Sequence, residues 1–128
     1  MPQQMGTRYW WRQERTSRTL TSCTGNVITG NTACGSGAGI AVEFSSAVIQ
    51  GNTITNNSQQ GCDGGPGGGG IFIGGAGSAQ VIGNIVTNNT EQADGGGIGL
   101  DAAGTPTIAN NFMYGNTAFW GRATELVL

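Results

Sequence analysis

The segment VIQGNTITNN, from Val48 to Asn57, decides the fold because close copies of it recur three more times. The copies are GNVITGNT at 25–32, VIGNIVTNN at 81–89 and TIANNFMYGN at 107–116. Aligned, they give two asparagine columns, which are Asn26, Asn52, Asn84 and Asn111, and, five residues later, Asn31, Asn57, Asn89 and Asn116. A unit that recurs at this spacing predicts a solenoid, in which one supersecondary element stacks on copies of itself.

Three of the units open with a glycine followed by a strand-like run, at 39–43, 70–74 and 97–101. Apolar residues alternate with small ones there, as in a strand with one buried face. The predicted inward columns are Ile40, Ile71 and Ile98; Val42, Ile73 and Leu100; Ile49, Ile82 and Ile108; and Ile28, Ile54, Val86 and Met113. Together they predict a thin apolar core, with Cys23 as a further buried member because it aligns with Ile49.

The asparagines suit the corners between short strands. Asparagine tolerates the left-handed backbone conformation and forms local hydrogen bonds. Asparagines stacked above one another can also bond side chain to side chain up the column. We therefore expect two asparagine ladders, and we interpret the sequons at Asn56 and Asn88 as corner architecture rather than glycosylation sites.

The pattern resembles the right-handed parallel β-helix repeat family, which includes pectate lyases, polygalacturonases and many exported bacterial repeat proteins. The G-I-x-V/L strand, the V-I-x-G-N corner and the T-I-T-N-N close carry the resemblance, over roughly residues 19–117. It implies an all-β fold, a right-handed parallel β-helix (solenoid) of about four coils, in a secreted or cell-surface protein. The fold alone does not fix a function.

The two ends depart from the repeat. Residues 1–18 are predicted to be a non-repeat segment that caps the first coil, since they contain Trp10 and Trp11 and most of the arginines. Residues 19–117 form the repeats, and residues 118–128 are predicted to start a further coil. Because an unpaired strand edge invites association, we expect self-association through open solenoid ends.

Composition excludes several classes of function. The chain has no histidine and no lysine, which rules out a Ser-His-Asp triad, a histidine-zinc site and a P-loop lysine. A net charge of −2 gives no steering toward nucleic acid. No apolar run approaches the roughly 20 residues of a membrane span.

Carboxylates are the remaining candidates for chemistry. Glu43 and Asp101 end equivalent strands two coils apart, with Gly74 between them, so their backbones are expected about 9–10 Å apart. That is near the upper end of the carboxyl separation in inverting glycosidases, about 6.5–9.5 Å. Gly74 would open a shallow groove for a polysaccharide chain. However, residues 19–117 contain no basic residue, whereas polygalacturonase-like and pectate-lyase-like sites use one.

Two further groups lie in the variable loops. Asp63 and Asp94 could bind a ligand, or calcium together with backbone carbonyls, although solvated loop acids are the simpler interpretation. Cys34 and Cys62 fall in loops of neighbouring coils and are a candidate disulfide pair in an oxidising compartment.

Three functions follow from these features. The first is a non-catalytic repeat module that binds glycans or partners through its loop face, with no cofactor. The second is a polysaccharide-degrading hydrolase or lyase fragment that uses Glu43 and Asp101. The third is an ice-binding surface, for which Thr29, Thr55 and Thr87 form a column that Tyr114 interrupts. The repeats favour the first, since they encode architecture more clearly than chemistry.

Overall fold

The computed structural model describes residues 9–12, 22–60, 67–93, 95–101 and 104–119, with residues 9–12 described by their backbone alone. Every regular element in these ranges is a β-strand. The first coil contains β1 (Tyr9–Arg12), β2 (Ser22–Thr24), β3 (Val27–Thr29) and β4 (Thr32–Ala33). The second contains β5 (Ile40–Glu43), β6 (Val48–Gln50), β7 (Thr53–Thr55) and β8 (Ser58–Gln59). The third contains β9 (Ile71–Gly74), β10 (Gln80–Ile82), β11 (Ile85–Thr87) and β12 (Thr90–Glu91). The fourth contains β13 (Ile98–Asp101), β14 (Thr107–Ala109), β15 (Phe112–Tyr114) and β16 (Thr117–Ala118).

The strands form four parallel sheets, and each sheet takes one strand from each coil. The first sheet has the order β1-β5-β9-β13, and the second has the order β14-β10-β6-β2. The third has the order β15-β11-β7-β3, and the fourth has the order β16-β12-β8-β4. The prediction of an all-β parallel solenoid is therefore confirmed.

The register brings like residues above like residues in the core. In the second sheet, Cys23 pairs with Ile49, and Ile49 pairs with Val81. Cys23 is buried, as predicted, at 2% exposure. The placement of Ile82 in the core was wrong, because Val81 occupies the inward position and Ile82 is half-exposed. A strand of period two leaves only one of two neighbouring apolar residues facing inward.

At each corner, one residue adopts the left-handed backbone conformation and the next one forms the ladder. The sequence pattern did not distinguish these two roles. The left-handed residue is the one before each ladder asparagine, for example Gly51 at φ 66° and Asn56 at φ 56°. The ladder asparagines themselves, such as Asn52 and Asn57, do not have a positive φ. Glycine and asparagine are interchangeable at the preceding position because both tolerate this conformation.

Both predicted asparagine ladders are present. The Asn84 amide donates to Asn111 Oδ1 at 2.9 Å and to the Ile49 carbonyl of the preceding coil at 2.9 Å. Its own Oδ1 accepts from the backbone N–H of Asn52 at 2.9 Å and from the Asn52 amide at 3.0 Å. The second ladder repeats the scheme through Asn57 and Asn89. The interior asparagines are buried without leaving these polar groups unsatisfied.

One strand lies inside the segment that we assigned to a possible cap. Tyr9–Arg12 pairs in parallel with Ile40–Glu43 and is the first strand of the first sheet. The residues therefore extend the solenoid, although their sequence YWWR does not resemble the Gly-Ile strands. The rest of that segment and residues 120–128 lie outside the described ranges.

In the described part of the chain, no helical segment has the length and apolarity needed to cross a bilayer.

Candidate functional site

The outer face of the first sheet is covered, and we call it the closed wall. One outward column of its three last strands consists of Ala41, Phe72 and Gly99, which stack in register and are all buried. A side chain at position 99 would meet the backbone of Gly67 and Gly68, at 2.5 Å and 2.6 Å from a Cβ atom. The backbone of the glycine-rich loop thus packs directly on the sheet, because neither Gly67 and Gly68 in the loop nor Gly99 in the strand has a side chain to separate the two backbones.

The carboxylate pair lies along the same wall. Glu43, Gly74 and Asp101 are in register, as predicted, with Glu43 half-buried and Asp101 exposed. The gap between them is not an open groove, because the Phe72 ring lies 2.6 Å from the position of a Cβ atom on Gly74. Gly74 itself is buried. The catalytic role of Glu43 and Asp101 and the ligand-binding role of Gly74 stay predictions.

The loop candidates fall largely outside the described residues. Asp63, Asp94 and Cys62 lie in ranges that the structure does not describe. Cys34 takes part in a disulfide, whereas Cys23 is buried and is not disulfide-bonded. The pairing of Cys34 with Cys62 stays a prediction.

The described part of the long loop is packed rather than open. Gly67 to Gly70 are all buried. A Cβ atom on Gly69 would lie 2.5 Å from the Thr90 carbonyl oxygen and 2.6 Å from that of Gly96. This stretch therefore joins two coils and offers no free surface to a ligand.

The outer face of the third sheet has the opposite character, and we call it the open wall. It consists of two stacked columns of outward side chains, which are Val27, Thr53, Ile85 and Phe112, and Thr29, Thr55, Thr87 and Tyr114. None of these eight residues is charged. Four of the seven exposed large hydrophobic residues of the described chain belong to it, at 49% exposure for Val27, 46% for Ile85, 62% for Phe112 and 65% for Tyr114. A concentration of exposed apolar groups on one face of a protein marks an interaction site.

The threonine column crosses this wall. Thr87 Oγ1 lies 3.0 Å from Thr55 Oγ1 and donates a hydrogen bond to it. Thr87 pairs in register with Tyr114, which continues the column with a phenol instead of a short hydroxyl. The wall therefore combines hydroxyl groups with aromatic and aliphatic surface at a fixed spacing.

Two residues escaped the sequence analysis. Phe44 has a left-handed backbone, at φ 50°, and its exposed ring lies over Gly75 of the next coil. Glu91 is fully buried, and its Oε1 accepts hydrogen bonds from the backbone N–H groups of Gln92 and Ala93. Phe44 follows its strand without any typical turn residue, so the sequence did not predict its left-handed backbone. Glu91 resembles an ordinary loop acid, so the sequence did not predict its burial.

A family model described as "Periplasmic copper-binding protein (NosD)" matches residues 6–116. No curated protein and no solved structure matches the chain at a significant level.

Copper is the metal in that description, and the potential ligands in the described part of the chain do not fit it. Copper in proteins is held by histidine nitrogen, thiolate or thioether sulfur. The chain has no histidine. Cys23 is buried among ladder asparagines, with its sulfur 3.4 Å from the Asn26 amide nitrogen, and Met113 is buried in the core. Within the described ranges, no three His, Cys, Asp or Glu residues come together to hold a metal ion. Nothing there supports calcium either.

The family description agrees with the prediction of an exported protein, since it places the family in the periplasm. It does not name the pectate lyases, so that part of the resemblance stays an expectation. Because the match covers most of the chain and the structure has the stacked-coil architecture that the repeats predict, the chain belongs to the NosD family of periplasmic repeat proteins.

Proposed function

We propose that this chain is a non-catalytic binding module of an exported protein and that it binds a neutral polysaccharide through the open wall. The main observation that supports this proposal is a cluster of exposed hydrophobic side chains on one face, namely Val27, Ile85, Phe112 and Tyr114. Exposing such side chains in water costs free energy, which contact with a ligand recovers.

The spacing of the wall suits a long, repetitive ligand. Neighbouring coils are about 4.7–4.9 Å apart, and the two columns are separated by two residues of an extended strand, or about 6.5 Å. A rigid backbone holds both columns in register, so little conformational entropy is lost when a ligand binds. The wall therefore offers a flat, preorganised strip.

The chemistry of the wall favours a neutral sugar chain. The apolar faces of sugar rings pack on aromatic and aliphatic side chains, while threonine and tyrosine hydroxyls donate to and accept from sugar hydroxyls. No charged side chain in the two columns would select an anionic polymer or demand a counter-ion. This moves the predicted binding surface away from the loop face, whose described residues are packed against the next coil.

Binding to a panel of neutral and acidic polysaccharides, by affinity electrophoresis and calorimetry, tests the proposal. Phe112→Ala is expected to weaken binding of a neutral polysaccharide about tenfold, since it removes a large exposed aromatic contact of the open wall. Phe44→Ala is the matched control, because Phe44 is also 62% exposed but lies outside the open wall. Equal losses in both variants, or no binding by any member of the panel, would contradict the proposal.

The enzyme alternative is separated from binding in the same panel. Release of new reducing ends or unsaturated products that disappears in Glu43→Gln and Asp101→Asn would support a hydrolase or lyase. The Phe72 ring occupies the gap between these two carboxylates, which counts against catalysis there.

Ice is the other candidate ligand of the same wall, and the register of Thr29, Thr55 and Thr87 favours it. The test is thermal hysteresis of the parent protein and of Thr55→Lys. Thermal hysteresis that the variant loses, in a protein that binds no polysaccharide, would show that the ligand of the open wall is ice.

A further inference from the structure

The two columns of the open wall differ in chemistry. One of them, which we call the apolar stripe, has three apolar side chains and one threonine and consists of Val27, Thr53, Ile85 and Phe112. The other, which we call the hydroxyl stripe, has a hydroxyl group on every side chain and consists of Thr29, Thr55, Thr87 and Tyr114. The wall is therefore divided lengthwise into an apolar half and a hydrogen-bonding half.

The corners that border the wall repeat this difference. In the first three coils, the exposed corner residues beside the apolar stripe have no side chain and are Gly25, Gly51 and Gly83. Beside the hydroxyl stripe, the exposed amides of Asn56 and Asn88 directly follow Thr55 and Thr87. An amide both donates and accepts hydrogen bonds, so these two side chains extend the polar half of the wall.

Both stripes run along the axis of the solenoid, because the members of each stripe are paired from coil to coil. Neighbouring coils are about 4.7–4.9 Å apart, so each stripe continues for about 14–15 Å from the first coil to the fourth. Across the wall, the two stripes are only about 6.5 Å apart. A ligand that lies along the axis therefore meets the same pair of surfaces at every coil, whereas a ligand that lies across the wall meets each stripe once.

The straight path of the stripes selects for the shape of a polymer. An extended, unbranched sugar chain can follow all four coils, whereas a coiled or branched chain leaves the wall after one or two coils. Sugar rings in an extended chain also present flat C–H faces and hydroxyl-bearing edges. The faces match the apolar stripe and the edges match the hydroxyl stripe, in the way that aromatic and hydroxyl side chains divide these contacts.

Resting on the proposed function, we infer that the open wall binds an extended, unbranched polysaccharide of the cellulose or mannan type, whose chain lies along the solenoid axis. The ring faces pack on Ile85 and Phe112, and the hydroxyl edge lies on Thr55, Thr87 and Tyr114. Each coil that the chain covers adds contacts of the same kind, so the binding free energy grows with the length of the ligand.

Calorimetry with oligosaccharides of increasing length tests this inference. Cello-oligosaccharides and manno-oligosaccharides, from disaccharide to hexasaccharide, represent extended chains. We expect the affinity for at least one of these two series to rise with length until the oligomer covers about 14–15 Å, and then to level off. Malto-oligosaccharides of the same lengths, whose chains coil, are expected to bind about tenfold more weakly than the better extended series.

A variant in the second coil separates a ligand along the axis from one across the wall. Thr53→Lys interrupts the apolar stripe but leaves Ile85 and Phe112 in place, so it should weaken hexasaccharide binding about tenfold and leave the shortest bound oligomer unaffected. Gln50→Lys is the matched control, since it adds the same charge to the same coil at an exposed position of the second sheet. Far-ultraviolet circular dichroism checks that both variants keep the fold.

The outcomes distinguish this inference from the proposed function on which it rests. Binding that does not depend on length, that survives unchanged in Thr53→Lys, or that is as tight for malto-oligosaccharides would overturn the lengthwise orientation, while the wall would remain a polysaccharide-binding surface. Absence of binding to every oligomer and every polysaccharide of the panel would overturn the proposed function itself, and this inference with it.

Discussion

The closed wall and the open wall are built on the same coils, yet they differ in what covers them. On the closed wall, a glycine-rich loop lies on Gly99 and the Phe72 side chain is buried. On the open wall, Phe112 occupies a comparable outward position and is 62% exposed. The difference shows that an outward strand position of a solenoid can serve either packing or recognition. The outcome depends on whether a loop packs over that position.

The largest expected difference between the walls comes from their phenylalanines. Phe72→Ala should lower the free energy of unfolding by about 3–4 kcal/mol, because it leaves a cavity under a packed surface. Phe112→Ala should change it by less than about 0.5 kcal/mol, since its ring is mostly in water. Urea unfolding followed by circular dichroism measures both. Similar losses in the two variants would show that the walls do not differ in packing.

A glycine substitution sharpens the comparison at an intermediate level. Gly99→Ala should destabilise the protein by about 2 kcal/mol, because its methyl group must displace the backbone of Gly67 and Gly68. Gly35→Ala is the control, since nothing lies within 4 Å of its Cβ position and its φ is not positive. We expect the control to stay within about 0.5 kcal/mol of the parent protein. An equally stable Gly99→Ala variant would mean that the loop does not rest tightly on the sheet.

The smallest effect is expected on the open wall. Thr87→Val removes the hydrogen bond to Thr55 but keeps the β-branched shape, so it should cost about 0.5 kcal/mol. Thermal unfolding compared with the parent protein measures this change. A loss as large as that of Gly99→Ala would show that the threonine column supports the fold and is not simply a surface feature.

The frame of the molecule was predictable because its determinants are local and repeated. Asn52 and Asn84 recur at fixed offsets from apolar residues, so their stacking follows once the coils are assumed to be alike. The inward columns followed from the same alternation, with the single-residue error at Ile82. The strand at Tyr9–Arg12 was not predictable, because pairing with Ile40–Glu43 imposes strand geometry on a sequence without the repeat.

The surface was harder to predict than the frame. The groove at Gly74 was inferred from a missing side chain, but the neighbouring Phe72 ring fills that space. Whether an outward residue is covered depends on the path of a loop that is distant in the sequence, as Gly67 and Gly68 are from Gly99. The local sequence pattern does not encode that path. The open wall was visible in the sequence only as a threonine column, since Phe112 and Ile85 are exposed because no loop of the described ranges covers them.

The hydrogen bonds of the asparagine ladders connect neighbouring coils and therefore affect how the chain folds. Asn84 needs a carbonyl from the coil before it and an Oδ1 from the coil after it, so a single coil in isolation leaves these groups without partners. Order in such a stack depends on nearest neighbours, as it does in other repeat proteins. Folding is therefore expected to nucleate on three adjacent coils, which together satisfy the middle asparagine, and each later coil then pairs with a coil that is already folded.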